Sequence, residues 1–156
     1  MEKLDEIVGV ELTTGAGSDS VSVVYGTERD IGTAYSGLLI LNCEMGSAND
    51  ISDVHLVTDQ TSSLTTADSK ATIEAVKYWT TSAPTGQGTD ITVSSNQFTI
   101  PADSIDVLVI AQVSGLQRYV RLVMKCSAGS AHEVGAVLVC GDSPSTPILA
   151  ARSAFS

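Results

Sequence analysis

Three apolar segments, Ile105–Val113, Arg118–Cys126 and Val134–Cys140, restrict what this chain can fold into more than any other feature. Successive side chains on a strand point to opposite faces, so each run is read two residues at a time. In Arg118–Cys126 this places Val120, Leu122 and Met124 on one face, and Tyr119, Arg121, Val123 and Lys125 on the other. The remaining two segments are apolar on both faces. Val107, Val109 and Ala111 stand against Leu108 and Ile110; Val134, Ala136, Leu138 and Cys140 stand against Gly135, Val137 and Val139. An antiparallel sheet that is apolar on both sides has to be covered twice. In a chain of 156 residues the expected second cover is another copy of the chain, the alternative being a long loop or the N-terminal stretch.

Further segments of the same kind precede these: Val21–Tyr25, Gly37–Met45, Asp53–Thr58 and Ile91–Ile100, each followed by a Gly-, Ser-, Asn-, Asp- or Pro-rich cluster. About eight strands separated by turn signals read as an all-β antiparallel sandwich or barrel. Lys70–Thr80 admits two readings. Ile73, Val76 and Trp79 recur at a helical spacing of three, with Asp68 as a cap, whereas Ala71, Ile73, Ala75 and Trp79 share one face of a strand. The strand reading is preferred. Ser and Thr, roughly a quarter of the residues, suit strands and turns better than long helices. The expected organisation is an N-terminal arm over residues 1–20, one domain over 21–150 and a short tail over 151–156.

Charge narrows the partners. A net charge of −10 with no basic run repels phosphate, which argues against nucleic acid. No apolar run approaches the roughly 20 residues of a membrane helix, and the acidic start does not resemble a signal peptide. Cys43, Cys126 and Cys140 are an odd set without a CxxC pair, so they read as buried thiols made in a reducing compartment.

A search for chemistry finds little. His55 alternates with apolar residues and is expected on a strand's polar face; His132 falls in a turn. Neither has metal-ligand spacing. Cys126 and His132 lie six residues apart, yet a strand-end cysteine reads as structural. Gly15 and Gly17 lack the third glycine and the helix of a dinucleotide loop. Asp103 and Asp106 flank a strand start, with Glu44, Asp50, Asp53 and Asp59 elsewhere; paired glycosidase carboxylates are joined only in space, so the sequence leaves them open, and six acids in the loops of an acidic protein are expected by chance. Trp79 is the one candidate for stacking against a sugar, although a core or interface role is preferred. No cofactor and no enzymatic activity are expected.

The C-terminal half carries an ordered set of features. Asp106-Val107-Leu108-Val109-Ile110-Ala111 leads to Gln117-Arg118-Tyr119-Val120-Arg121-Leu122-Val123, then to Val134-Gly135-Ala136-Val137-Leu138-Val139-Cys140 and Gly141-Asp142-Ser143-Pro144-Ser145-Thr146-Pro147. With Leu38–Met45 as a first core strand, residues 35–149 resemble bacteriophage virion proteins of the capsid cement, or decoration, type. Residues 1–34 and the loop 82–90 have no counterpart in that likeness. The resemblance implies a jelly-roll-like sandwich, a virion protein made in the host bacterial cytoplasm, which binds the outside of the shell. Its partners would be the major capsid protein and its own copies, as a dimer or trimer. Other readings are a tail or head–tail completion protein and a carbohydrate-binding module. Candidate interface residues are Tyr119, Arg121 and Lys125 on one strand and Val137 and Val139 on another. Arg118, at the strand's edge, is expected to pair with an acid.

Overall fold

Apolar residues at alternate positions make strands only when a second sheet buries them, and two sheets do so here. The computed structural model describes residues 8–11, 22–32, 34–44, 51–65, 67–80, 86–101, 106–126 and 133–141. In chain order the strands are β1 (Val8–Glu11), β2 (Ser22–Tyr25), β3 (Arg29–Asp30), β4 (Ser36–Glu44), β5 (Ile51–Asp59) and β6 (Thr72–Thr80). They continue with β7 (Thr89–Asp90), β8 (Phe98–Ile100), β9 (Val107–Ser114), β10 (Tyr119–Cys126) and β11 (Glu133–Gly141). No helix occurs among the described residues, and none there is long and apolar enough to cross a membrane.

All pairings are antiparallel. One sheet has the order β1-β11-β4-β9-β6-β7; the other has β2-β10-β5-β8, with β3 also on β10. Setting β3, β6 and β7 aside, the strands pair first with last: β1 with β11, β2 with β10, β4 with β9 and β5 with β8. A long hairpin rolled onto itself gives this order, which is that of a jelly roll. Strands β6 and β7 are inserted at the hairpin's apex and extend the first sheet beyond β9. Within the stretch expected to be an arm, Val8–Glu11 is thus an edge strand on β11; the tail 151–156 lies outside the described residues.

The core lies between the sheets. Leu39, Leu41, Val109, Ala111 and Leu138 of one sheet meet Val54, Leu56, Val120, Leu122 and Met124 of the other, and all are buried. These are the faces that alternation assigns in β9, β10 and β11. Cys43 and Cys140 are buried thiols in this core, and burial pushes the Cys140 thiol up to about 11. At pH 8, a thiol reagent is therefore expected to modify these two cysteines no faster than the domain unfolds, measured by labelling against a urea series.

Two segments depart from the period-two reading. Lys70–Thr80 does contain a strand, but a register shift between Ile73 and Ala75 exchanges its faces midway. Ile73, Val76 and Tyr78 turn toward the core, while Ala75, Lys77 and Trp79 pair with outward positions of β9. The irregularity produces the spacing of three between Ile73 and Val76 that imitates a helix, while Trp79 lies on the other face. Ile91–Ile100 is not one strand. Ser95 and Asn96 both have positive φ, 52° and 58°, and Ser94 and Gln97 bond to each other across them. That two-residue hairpin turn leaves only Phe98–Ile100 in the sheet.

Candidate interaction surfaces

Each sheet has an outer face, and the chain treats the two differently. On the β2-β10-β5-β8 sheet, Val57 and Val123 form a second apolar cluster with Leu64, and Tyr119 packs against it. Leu64 belongs to the connection from β5 to β6. That connection is held at both ends: the Thr58 amide donates to the Ser69 carbonyl (2.8 Å), and the Ala71 amide to the Leu56 carbonyl (2.9 Å). Its middle is held by the Glu28 carboxylate, which accepts the Ser63 amide at 3.0 Å and the Leu64 amide at 2.7 Å. Arg121 Nη1 donates to the Leu64 carbonyl at 2.8 Å.

The two amide bonds, first that from Leu64, hold the Glu28 carboxyl below its usual range. A depressed carboxylate pKa stabilises the folded state above the unfolded value and loses that effect as pH falls through the folded one. Protection of the Ser63 and Leu64 amides from hydrogen exchange is therefore expected to fall as pH drops below about 4.5, the ordinary value. Glu28→Gln should reproduce part of this loss at neutral pH.

Tyr119 and Arg121 are thus already engaged by the chain's own loop, and Lys125, further along the same face, is exposed. Val137 and Val139 lie on the other sheet, across the sandwich. The five candidate interface residues do not form one surface. Arg118 pairs with an acid as expected: its guanidinium holds Asp30 through Nε and Nη2, the latter at 2.9 Å, and sits over the Tyr119 ring. Both partners are largely solvated, so the contact orients the β3 edge more than it stabilises the fold.

His55 is a correction. It is buried rather than on a polar face, with Nδ1 at 2.6 Å from the Asp53 carbonyl. Burial, with Lys70 nearby, keeps its pKa below the ordinary value. Asp53, at φ 53°, accepts Gln97 Nε2 at 2.8 Å, and the other end of that amide takes the Lys70 ammonium. This network ties the 94–97 turn to β5. An open groove of about 270 Å³ beside it is lined by Ile91, Thr92, Ser94, Gln97, Phe98 and Thr99, none of them ionisable.

Trp79 does not present a free ring. Its indole N–H donates to the Gly86 carbonyl at 3.1 Å, and a Cβ on Gly88 would come within 2.5 Å of the ring. Of the six carboxylates weighed above, Asp53 binds Gln97, Asp59 binds the Thr61 amide, and Glu44 and Asp106 are exposed where β4 meets β9. Asp50, Asp103 and His132 lie outside the described residues, as does the Cys126 side chain. Among the described residues, no three His, Cys, Asp or Glu side chains are grouped to hold a metal ion.

The outer face of the β1-β11-β4-β9-β6-β7 sheet remains. Leu38 and Ile40 of β4, Leu108 and Ile110 of β9, and Val137 and Val139 of β11 adjoin one another there by register. Leu108 is 39% and Val137 40% exposed, two of the three large hydrophobic residues exposed among those described. Alternation alone anticipated the β9 and β11 part of this face. The β4 part was missed, although Leu38 and Ile40 alternate with Leu39 and Leu41 in the same way. In comparisons with protein-family models, curated proteins and solved structures, the chain matches nothing.

Proposed function

We propose that this chain is a structural component of a bacteriophage particle, a capsid cement protein that binds the outer shell, associates with its own copies and stabilises the particle. The observation that carries this reading is the apolar outer face on β11, β4 and β9, in a sandwich that covers its opposite outer face with its own loop. Exposed apolar surface on a small domain marks a surface that other molecules cover. The viral part of the reading comes from the likeness over residues 35–149, whose Arg118–Val123 and Val134–Cys140 segments become β10 and β11. Jelly rolls serve capsid and lectin domains alike, so the topology agrees with the reading without selecting it.

Purified particles test it. The protein should be found over the whole shell surface, and particles stripped of it should lose resistance to heat and chelators. Particles that are equally resistant without it would overturn the reading. Labelling confined to one vertex would replace it with a head–tail role.

A further inference from the structure

We propose that residues 60–65, in the connection from β5 to β6, form a strap that acid releases. At neutral pH the strap closes the outer face of the β2-β10-β5-β8 sheet, and in mild acid it lifts off while the sandwich stays folded.

Little that is apolar holds the strap down. Leu64 alone among residues 60–65 is buried, against Val57 and Val123, and the other five are exposed. Carboxylates hold its shape instead. The Thr61 amide donates to Asp59 at 2.8 Å, the Ser63 and Leu64 amides donate to Glu28, and the Thr65 amide donates to Asp68. The Thr61 and Thr65 hydroxyls donate to the same two aspartates, at 2.9 and 3.1 Å. Ser63 is kept at φ 77°, a conformation that a serine adopts only when its surroundings impose it. A hydrogen bond to an ionised acceptor is roughly twice as strong as one to a neutral acceptor. Protonation therefore weakens the hold on all four amides together.

The surrounding charges set the direction. The Leu64 and Ser63 amides hold the Glu28 carboxyl down and Arg121 of β10 adds to this, against burial and the negative charge of Asp68. The Thr61 amide, then its hydroxyl, hold the Asp59 carboxyl down. Each favours the closed strap above its ordinary value, 4.5 for Glu28 and 3.8 for Asp59, and ceases to do so as pH falls through the folded one. On the same face His55 stands in register with Val123. Burial and Lys70 keep its ring neutral, against the carbonyl and carboxylate of Asp53, so charging it in acid also favours any state that lets water reach it.

Release stops at the strap. No Asp or Glu is buried among the described residues, so the core between the sheets contains no carboxylate for acid to discharge. The connection's two ends are tied through the Ser69 and Leu56 carbonyls, by backbone bonds that do not titrate. Lifting the segment between them uncovers Val57, Val123 and the Tyr119 side chain, and a face that is closed at neutral pH becomes apolar.

Hydrogen exchange, expressed at each pH as protection relative to a free peptide, tests the proposal on the whole chain. Between about pH 6.5 and about pH 3.5 the amides of Thr61, Ser63, Leu64 and Thr65 should lose roughly tenfold or more of their protection around one shared midpoint. The amides of Leu39 and Leu122, one in each sheet, should keep theirs. An apolar fluorescent dye should gain emission over the same range. Leu64→Ala, which removes the apolar anchor, should show the open strap's exchange and dye emission already at pH 7. Glu28→Gln combined with Asp68→Asn should lower the protection at pH 7 and flatten its pH dependence. Protection that persists to pH 3.5, or that is lost only together with that of Leu39 and Leu122, overturns the proposal. Loss at separate pH values for the separate amides, without dye uptake, overturns it as well, since that is the fraying of independent turns.

Discussion

Leu39→Ala is expected to lower the stability of the domain by about 3–4 kcal/mol. Leu39 is fully buried on β4, the strand that lies between β11 and β9, with Leu138 and Ala111 as its cross-strand partners. Truncating a leucine in such a place loses its transfer free energy and leaves a cavity, and costs about 2–5 kcal/mol in well-packed cores. The upper part of that range applies because one neighbour is already an alanine, which has no atoms to move into the space. Urea unfolding should show the midpoint fall with its slope unchanged. A loss below about 1 kcal/mol would mean that this position is not at the centre of the core.

Gly37→Ala should be nearly as damaging for the opposite reason. A Cβ at Gly37 would lie 2.5 Å from the Val139 carbonyl oxygen and 3.0 Å from the Cys140 Cβ. These atoms belong to the neighbouring strand's backbone and its stem, so no side-chain rotation relieves the contact. The β4–β11 pairing must open locally, and overpacking of this kind costs about 1–3 kcal/mol, with the higher figure expected here. Hydrogen exchange should quicken at Leu38 and Val139 before it does elsewhere. Gly135→Ala on β11 is the control. Its nearest neighbour would be 4.0 Å away, so the substitution should be neutral or slightly stabilising, through the less flexible unfolded chain.

How much of this was legible depended on range. Period two gave the inward faces of β9, β10 and β11 correctly, because each rests on one strand read alone. It failed at β6, where the shift after Ile73 changes the phase, and nothing local to Glu74 announces it. It failed at Ile91–Ile100, although Ser94-Ser95-Asn96 is a turn composition and could have been read as one. His55 was assigned to a polar face because alternation predicts direction, whereas burial depends on what lies over that direction. The five interface candidates were split for a related reason. Alternation tells which residues share a side of one strand, but not which sheet the strand joins, and β10 and β11 join different sheets. That assignment is made by pairings between distant segments, and no short window of sequence contains them.

First-with-last pairing also has a consequence in time. The strands nearest the apex, β5 and β8, are separated by one inserted hairpin, whereas β1 waits for β11 and β2 for β10. As the chain leaves the ribosome, β4 is without either of its sheet neighbours until β9 and then β11 have been made. Its two apolar faces and both of its backbone edges are bare for most of synthesis, and such strands pair readily with the wrong molecule. Yield during expression should therefore depend on how fast the last third of the chain is delivered, and slowing translation there should send the protein into aggregates even though the finished sandwich is unaltered.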